Sequence, residues 1–393
     1  HEARCESLLR ILAAAIPLSS IHSCFAGSYL GKKKTGIPAT AQLLEQTIRI
    51  GTVWLLCSIH IQQGKAITPE LAVFGLLAGE AGSALFMLTF TSDPFPNIRS
   101  SKKYITKCRE LLKMAIPLTG NRLSLTLLQS MEAVLIPLSL RKSGLTTADA
   151  LSLYGILTGM ALSFIMFPNA VTSSISAMLL PVISEEQAKG NKRNISLTIE
   201  YTIQFGLIIG ILCMGIFLHF GQPLGILFFH EQLAGEFLAT LSWICPFLYL
   251  TGNLNSILHG LGKTSITFFN QLASILVRIL FIVAFVPLYG IKGVLWGLLA
   301  SQLLLCLLGI RAIMPYVTPT LGLDILIIKP LAALFLSIGG IDLLKHLMPA
   351  LRTGGEILSL LICICMVAAV YLLILTTFGV WKVIQFSKRS RWL

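Results

Sequence analysis

The sequence predicts an all-α integral membrane protein, a polytopic helix bundle with about eleven spans. Composition is the first observation: 55% of the 393 residues are hydrophobic and only 12% charged, where a soluble domain carries roughly 25% charge, and mean hydropathy is +0.82. The second is that apolar runs of about twenty residues, the length a helix needs to cross the hydrocarbon, follow one another almost without interruption. The third is an internal repeat. Lys34–Ile50 aligns without gaps on Lys263–Ile279, an offset of 229 (263 less 34). Lys34 falls on Lys263, Thr35 on Thr264, Gln42 on Gln271 and Arg49 on Arg278. The same offset pairs Pro17 with Pro246 and Gly31 with Gly260; after a seven-residue slip Gly75-Leu76-Leu77-Ala78 matches Gly297-Leu298-Leu299-Ala300. Apolar helices match by chance, but matched Lys, Gln and Arg within or beside hydrophobic segments are a stronger signal. Duplicated helical units build secondary transporters.

In chain order the expected spans are Leu8–Leu30, Pro38–His60, Glu70–Phe90, Leu111–Leu140, Leu151–Leu180, Leu197–Phe220, Ala234–Leu258, Ser265–Leu288, Gly293–Met314, Asp324–Leu347 and Ile357–Val380. Backbone inside a bilayer must satisfy its own hydrogen bonds, so these runs are read as helices. No alternating ten-residue pattern recurs that would suggest barrel strands. The longest loops, about fifteen residues, leave no room for a soluble core.

A net charge of +13 raises the question of nucleic acid, and its distribution answers it. Basic residues gather in alternate loops: Lys32–Lys34; Arg99, Lys102, Lys103 and Lys107; Lys189, Lys192 and Arg193; Lys263; Arg311; and Lys388, Arg389 and Arg391. This is the positive-inside pattern. It places Gly31–Gly36, Ser92–Lys107 and the C-terminus in the cytoplasm and the start of the chain outside; no nucleic-acid partner is expected. The nine cysteines lie mostly in apolar runs, where cysteine is a small hydrophobe, and suggest neither a disulfide framework nor a metal site.

The repeat also sets the expected organisation. Residues 1–91 would be the last three helices of a first lobe, 92–110 a cytoplasmic linker, 111–314 a second lobe of six helices, and 315–393 a C-terminal helix pair with a basic tail. Projecting the second copy back onto the first implies that about three helices precede His1 in the full protein.

No catalytic, cofactor or metal motif is found. Gly262-Lys263-Thr264 resembles the end of a phosphate loop but lacks the upstream glycine, position 257 being Ile. The histidines show no pair at ligand spacing on one helix. Intramembrane charge carries the information instead, since one charge at mid-bilayer costs roughly 2.5–3.5 kcal/mol even on the insertion scale. Glu45 and Arg49 are one turn apart with the acid N-terminal, the favourable order; they read either as a self-neutralising pair that lets the helix insert or as a charge-coupling element. Arg278 has Ser274 where Glu45 stands, so it needs a partner elsewhere or a wet space. On Leu111–Leu140, Arg122, Gln129 and Glu132 fall within an arc of roughly 80°, bordered by Asn121. That stripe reads as pathway lining or as interhelical hydrogen bonding, worth about 0.6 kcal/mol a bond. Glu80, Asn169 and Asn253 are further polar residues in spans, and Lys329 is near enough to an end to snorkel. Pro17, Pro117, Pro137, Pro168 and Pro246 are expected to kink the helices that hold them.

Ala15-Ile16-Pro17-Leu18-Ser19, Gly27–Gly31 and Pro38–Arg49 resemble the stage V sporulation protein B family of the multidrug/oligosaccharidyl-lipid/polysaccharide exporter superfamily. So do Ala115–Leu118, Leu135–Leu140 and Leu179–Glu185, the last read as opening a cytoplasmic loop. The resemblance covers essentially the whole chain. It implies a fourteen-helix protein of the bacterial inner membrane, not an enzyme, with two pseudo-symmetric lobes around a cavity. The implied task is flipping polyprenyl-pyrophosphate-linked sugars, with membrane lipids around it and Na+ or H+ as coupling ion. A pyrophosphate needs Arg or Lys donors in place of water. The expected cavity residues are therefore Arg49, Arg122, Arg278, Gln129, Glu132 and Asn121, with Glu45 and Glu132 as charge partners or ion couplers. A cation-coupled multidrug exporter of the same superfamily is the alternative, and free arginines weigh against it.

Overall fold

The computed structural model describes residues 4–31, 36–89, 101–317, 322, 324–347 and 356–380. Lys32–Lys34, Arg99, Arg352 and the basic tail with Lys388, Arg389 and Arg391 lie outside the described residues, as do the side chains of Lys102, Lys103, Lys107 and Asn121. Every regular element described is helical. The chain divides into two compact units, His1–Glu110 and Leu111–Leu393.

The first unit holds α1 (Arg4–Gly31), α2 (Gly36–Gln62) and α3 (Pro69–Thr89). α3 packs on both neighbours. Its contact with α2 depends on glycine: a Cβ on Gly79 would stand 2.9 Å from the Glu45 carbonyl oxygen, and one on Gly75 3.1 Å from that of Arg49. Small residues let membrane helices meet backbone to backbone, where no hydrophobic effect drives them together. α1 runs unbroken through Pro17.

The helix α4 (Ser101–Lys142) leads into the second unit. There follow α5 (Thr147–Gly155), a π-helical turn at Ile156–Ala161, α6 (Leu162–Met166), α7 (Asn169–Ala188) and α8 (Lys192–Phe229). The expected single span Leu151–Leu180 is thus corrected. Pro168, unable to donate to a preceding turn, caps a new helix at its N-terminus, and that helix continues through Pro181 to Ala188, where the sequence suggested a loop. At 38 residues, α8 is about 57 Å long, well beyond the roughly 30 Å hydrocarbon core. It ends on His230 in the left-handed conformation (φ 54°), and α9 (Gln232–Leu241) turns back along it. That return is close because Gly221, Gly225 and Gly235 face one another's backbones.

A 3₁₀ turn, Ser242–Ile244, leads to α10 (Cys245–Gly260), with Pro246 in its first turn, where a missing N–H costs nothing. Then come α11 (Thr264–Ala284), the short α12 (Val286–Tyr289) and α13 (Ile291–Ile313). Last are α14 (Lys329–Leu347), after a π turn at Asp324–Ile328, and α15 (Glu356–Thr377). α10 packs on α7, α8 and α13; α11 lies on α13; the α14–α15 pair covers α8. The main apolar core of this unit gathers Phe217, Phe220, Leu238, Leu241 and Tyr249 with Val367 and Tyr371. Tyr249 and Tyr371 are wholly buried, and each phenol donates to a backbone carbonyl, of Ile165 (2.7 Å) and of Ile208 (3.1 Å).

Among the described residues nine helices are long and apolar enough to cross a membrane. α2 falls outside that set although it forms where a span was expected, because of its polar content: Gln42, Glu45, Gln46 and Arg49. Lys329 Nζ donates to the Phe378 carbonyl (3.3 Å) just past the end of α15. The outward surface is apolar, with Leu43, Trp54, Phe167, Leu288 and Phe335 each at least 63% exposed, a face that suits lipid and not water.

Candidate functional site

Each unit holds one half-buried arginine against a buried carboxylate, the arginines at equivalent positions of the repeat. In the first unit Arg49 pairs with Glu45, its Nη2 donating to Oε1. Glu45 is 7% exposed. Its pocket exists because Gly79 and Gly82 on α3 leave room for Glu45 and Ile48. His22 of α1 and Glu80 of α3 close the cluster, with His22 Nδ1 3.8 Å from Glu45 Oε2 and 4.0 Å from Glu80 Oε2.

In the second unit Arg278 of α11 reaches across to Glu132 of α4. Its Nη1 lies 3.1 Å from Oε1 and 3.4 Å from Oε2, while its Nε donates to Ser301 Oγ on α13 at 3.0 Å. Ser274, one turn before Arg278, donates to the Ser301 carbonyl at 2.9 Å. Gln302 Nε2 donates to Thr251 Oγ1 at 3.3 Å. Nearby, Ser176 donates to Asn253 Oδ1 at 2.5 Å, tying α7 to α10.

This geometry supplies the partner that Arg278 was expected to need: Glu132, on another helix because Ser274 cannot provide the charge that Glu45 provides for Arg49. It corrects a second expectation, since the α4 stripe does not act as one face. Glu132 is buried and committed to α11, whereas Arg122 and Gln129 are exposed. Arg122 makes no ion pair among the described residues and lies within electrostatic reach of His259. Asn121 occupies its place on α4, but its side chain is outside the described residues. Sequence reading missed His22 and the joining of Glu80 to Glu45. The signal was present: the repeat sets His22 on Thr251 and Glu80 on Gln302, two positions that the fold brings together.

Fold and sites define a class: a polytopic helical membrane protein with a duplicated helical unit and charged residues held inside its spans. Comparisons with known proteins narrow it. The family model described as "Polysaccharide biosynthesis protein" matches residues 1–187, and the MatE family model matches residues 128–284. The chain is 25% identical over 311 residues to Stage V sporulation protein B of Bacillus subtilis (strain 168), an alignment covering 76% of this chain and 60% of that protein. It is 24% identical over 310 residues to Lipid II flippase MurJ of the same organism, covering 73% of this chain and 56% of that one. Among solved structures, Lipid II flippase MurJ in an inward closed conformation superposes with a TM-score of 0.65 at 15% identity, over 94% of this chain and 73% of that chain. These matches, each over part of the chain, agree with the resemblance read from the sequence. It spans about three fifths of the length of its sporulation relative.

Proposed function

We propose that this chain is part of a transporter that flips polyprenyl-pyrophosphate-linked sugars across the bacterial cytoplasmic membrane by alternating access, for peptidoglycan, spore-cortex or polysaccharide synthesis. The observation that carries the proposal is the pair of repeat-equivalent arginines, Arg49 and Arg278, each inside a helical span and each held by one carboxylate. Guanidinium is permanently charged and presents a fork that matches phosphate oxygens. An arginine already paired with a carboxylate can exchange that partner for a diphosphate without ever standing bare in the bilayer. Arg122, exposed and without an ion pair among the described residues, is the donor available before any exchange. Glu45 and Glu132 hold the arginines in place between substrates. Na+ or H+ is the coupling ion of this reading, with Glu132 the carboxylate released when Arg278 moves. The family-model matches and the flippase named among the relatives support the same cargo class.

A cation-coupled multidrug exporter is the second reading, favoured by the MatE match over residues 128–284 and by the fact that Arg278 is paired, leaving the second unit less basic than the sequence suggests. One experiment separates the two. In proteoliposomes of the full-length protein, Arg122→Ala and Arg278→Lys should each lower translocation of a fluorescent undecaprenyl-pyrophosphate glycolipid by about tenfold or more, the loss of one charge-assisted contact. Drug efflux in cells should be unchanged. Retained flipping in both variants, with efflux lost, establishes the exporter instead.

A further inference from the structure

The cluster at the centre of the first unit has a composition that ion pairing with Arg49 does not explain. We propose that His22, Glu45 and Glu80 form a site for a divalent transition-metal ion of the zinc type, one ligand from each of α1, α2 and α3. One atom from each residue lies within 4.8 Å of the other two. The separations from His22 Nδ1, 3.8 and 4.0 Å, are too long for hydrogen bonds, so the three groups converge without satisfying one another. A four-coordinate zinc ion with bonds of about 2.0–2.1 Å sets its ligands about 3.3 Å apart. The two separations from His22 would have to close by roughly 0.5–0.7 Å, and the widest in the cluster by up to about 1.5 Å, to reach that spacing.

A second observation points to a cation. Glu80 Oε2 is buried and accepts no hydrogen bond among the described residues. Glu45 gives Oε1 to Arg49 and turns Oε2 toward His22. Two carboxylates therefore face one paired guanidinium and an imidazole that is positive only when protonated; with His22 neutral, the excess of negative charge inside a membrane span calls for a further positive partner. His22 Nδ1 also lies 3.3 Å from Ser83 Oγ, whose hydroxyl has the Glu80 carbonyl at 3.1 Å as its acceptor. Ligation would leave Ser83 on that carbonyl and free the nitrogen lone pair for the ion.

The repeat supplies the internal control. The second copy places Thr251, Ser274 and Gln302 where the first has His22, Glu45 and Glu80; there Gln302 donates to Thr251 and Ser274 to the Ser301 carbonyl, all neutral hydrogen bonds. Packing of this three-helix unit therefore does not require ionisable groups; the first copy carries them for another reason. Imidazole nitrogen beside carboxylate oxygen selects zinc-like ions over Na+, Mg2+ or Ca2+, which take oxygen alone. Three protein ligands leave a fourth position open for water or another donor. The site is independent of the transport reading.

The test uses the full-length protein in lipid nanodiscs, stripped with chelator and dialysed against zinc. Wild type should retain about one zinc per chain and unfold at a higher temperature with zinc but not with Mg2+ or Na+. His22→Thr and Glu80→Gln install the second copy's own residues, so the helices should still pack. Each should weaken zinc binding by about tenfold or more and abolish the thermal shift, while Glu6→Gln, an exposed carboxylate on α1, should change neither. Less than about a tenth of an equivalent of zinc in wild type overturns the proposal. So does undiminished binding in both variants, and so does a thermal shift that follows pH alone with no response to metal.

Discussion

Breaking the Arg278–Glu132 pair should cost more than removing it. The side chains are 21% and 10% exposed, so solvent screens them little. Losing one partner of a buried pair typically costs about 3–5 kcal/mol, because the survivor is left charged in a low dielectric. Arg278 would keep its bond to Ser301 Oγ at 3.0 Å and its partial exposure, which places Glu132→Leu near the lower end, about 2–3 kcal/mol. Replacing both partners, Glu132→Leu with Arg278→Met, exchanges a costly desolvated pair for packed apolar atoms and should fall within about 1 kcal/mol of wild type. Arg278→Met leaves the more deeply buried Glu132 unpaired and should cost at least as much as Glu132→Leu, so the coupling energy of the cycle is about 3 kcal/mol or more. Reversible unfolding in mixed micelles, followed by tryptophan fluorescence, measures all four corners. A cost below about 0.5 kcal/mol for Glu132→Leu, the ordinary range for a surface substitution, refutes the buried-pair reasoning. So does a double variant as unstable as the sum of the singles.

Two further predictions concern packing and pH. Gly79→Ala puts a methyl 2.9 Å from the Glu45 carbonyl and 3.3 Å from Arg49 Cβ; the backbone cannot yield, so α2 and α3 must part at a cost of about 1–3 kcal/mol, read in the same unfolding assay. At the C-terminal end of α7, the Glu185 hydrogen bond (2.8 Å) and then the nearby acidic charges raise the pKa of exposed Lys189 above its ordinary 10.5. A raised folded value means that the contribution is complete below 10.5 and disappears as pH climbs through the folded value. The melting-temperature difference between wild type and Lys189→Met should thus be small, as for any exposed pair, constant through neutral pH, and absent only in strong alkali.

The fold was more legible than the sites. Hydropathy is local, and a run of apolar residues in lipid has only the helix with which to satisfy its backbone, so helices form at the expected spans, one of them as separate helices divided at Pro168. The break at Pro168 inside one of them was legible too, since proline forfeits a hydrogen bond wherever it falls; that Pro17 and Pro181 leave their helices continuous was not. Glu45–Arg49 could be read because both ends lie on one helix.

By itself, then, the sequence determined the helical membrane class, the duplication and the same-helix ion pair, since each follows from spacing along the chain. Only tertiary structure decided that Arg278 meets Glu132 across 146 residues, that Arg122 and Gln129 stay exposed, and that His22, Glu45 and Glu80 converge. Which helix faces meet depends on how closely backbones can approach. At α2 and α3 that distance is fixed by what Gly75, Gly79 and Gly82 lack, a shape constraint that hydropathy does not encode.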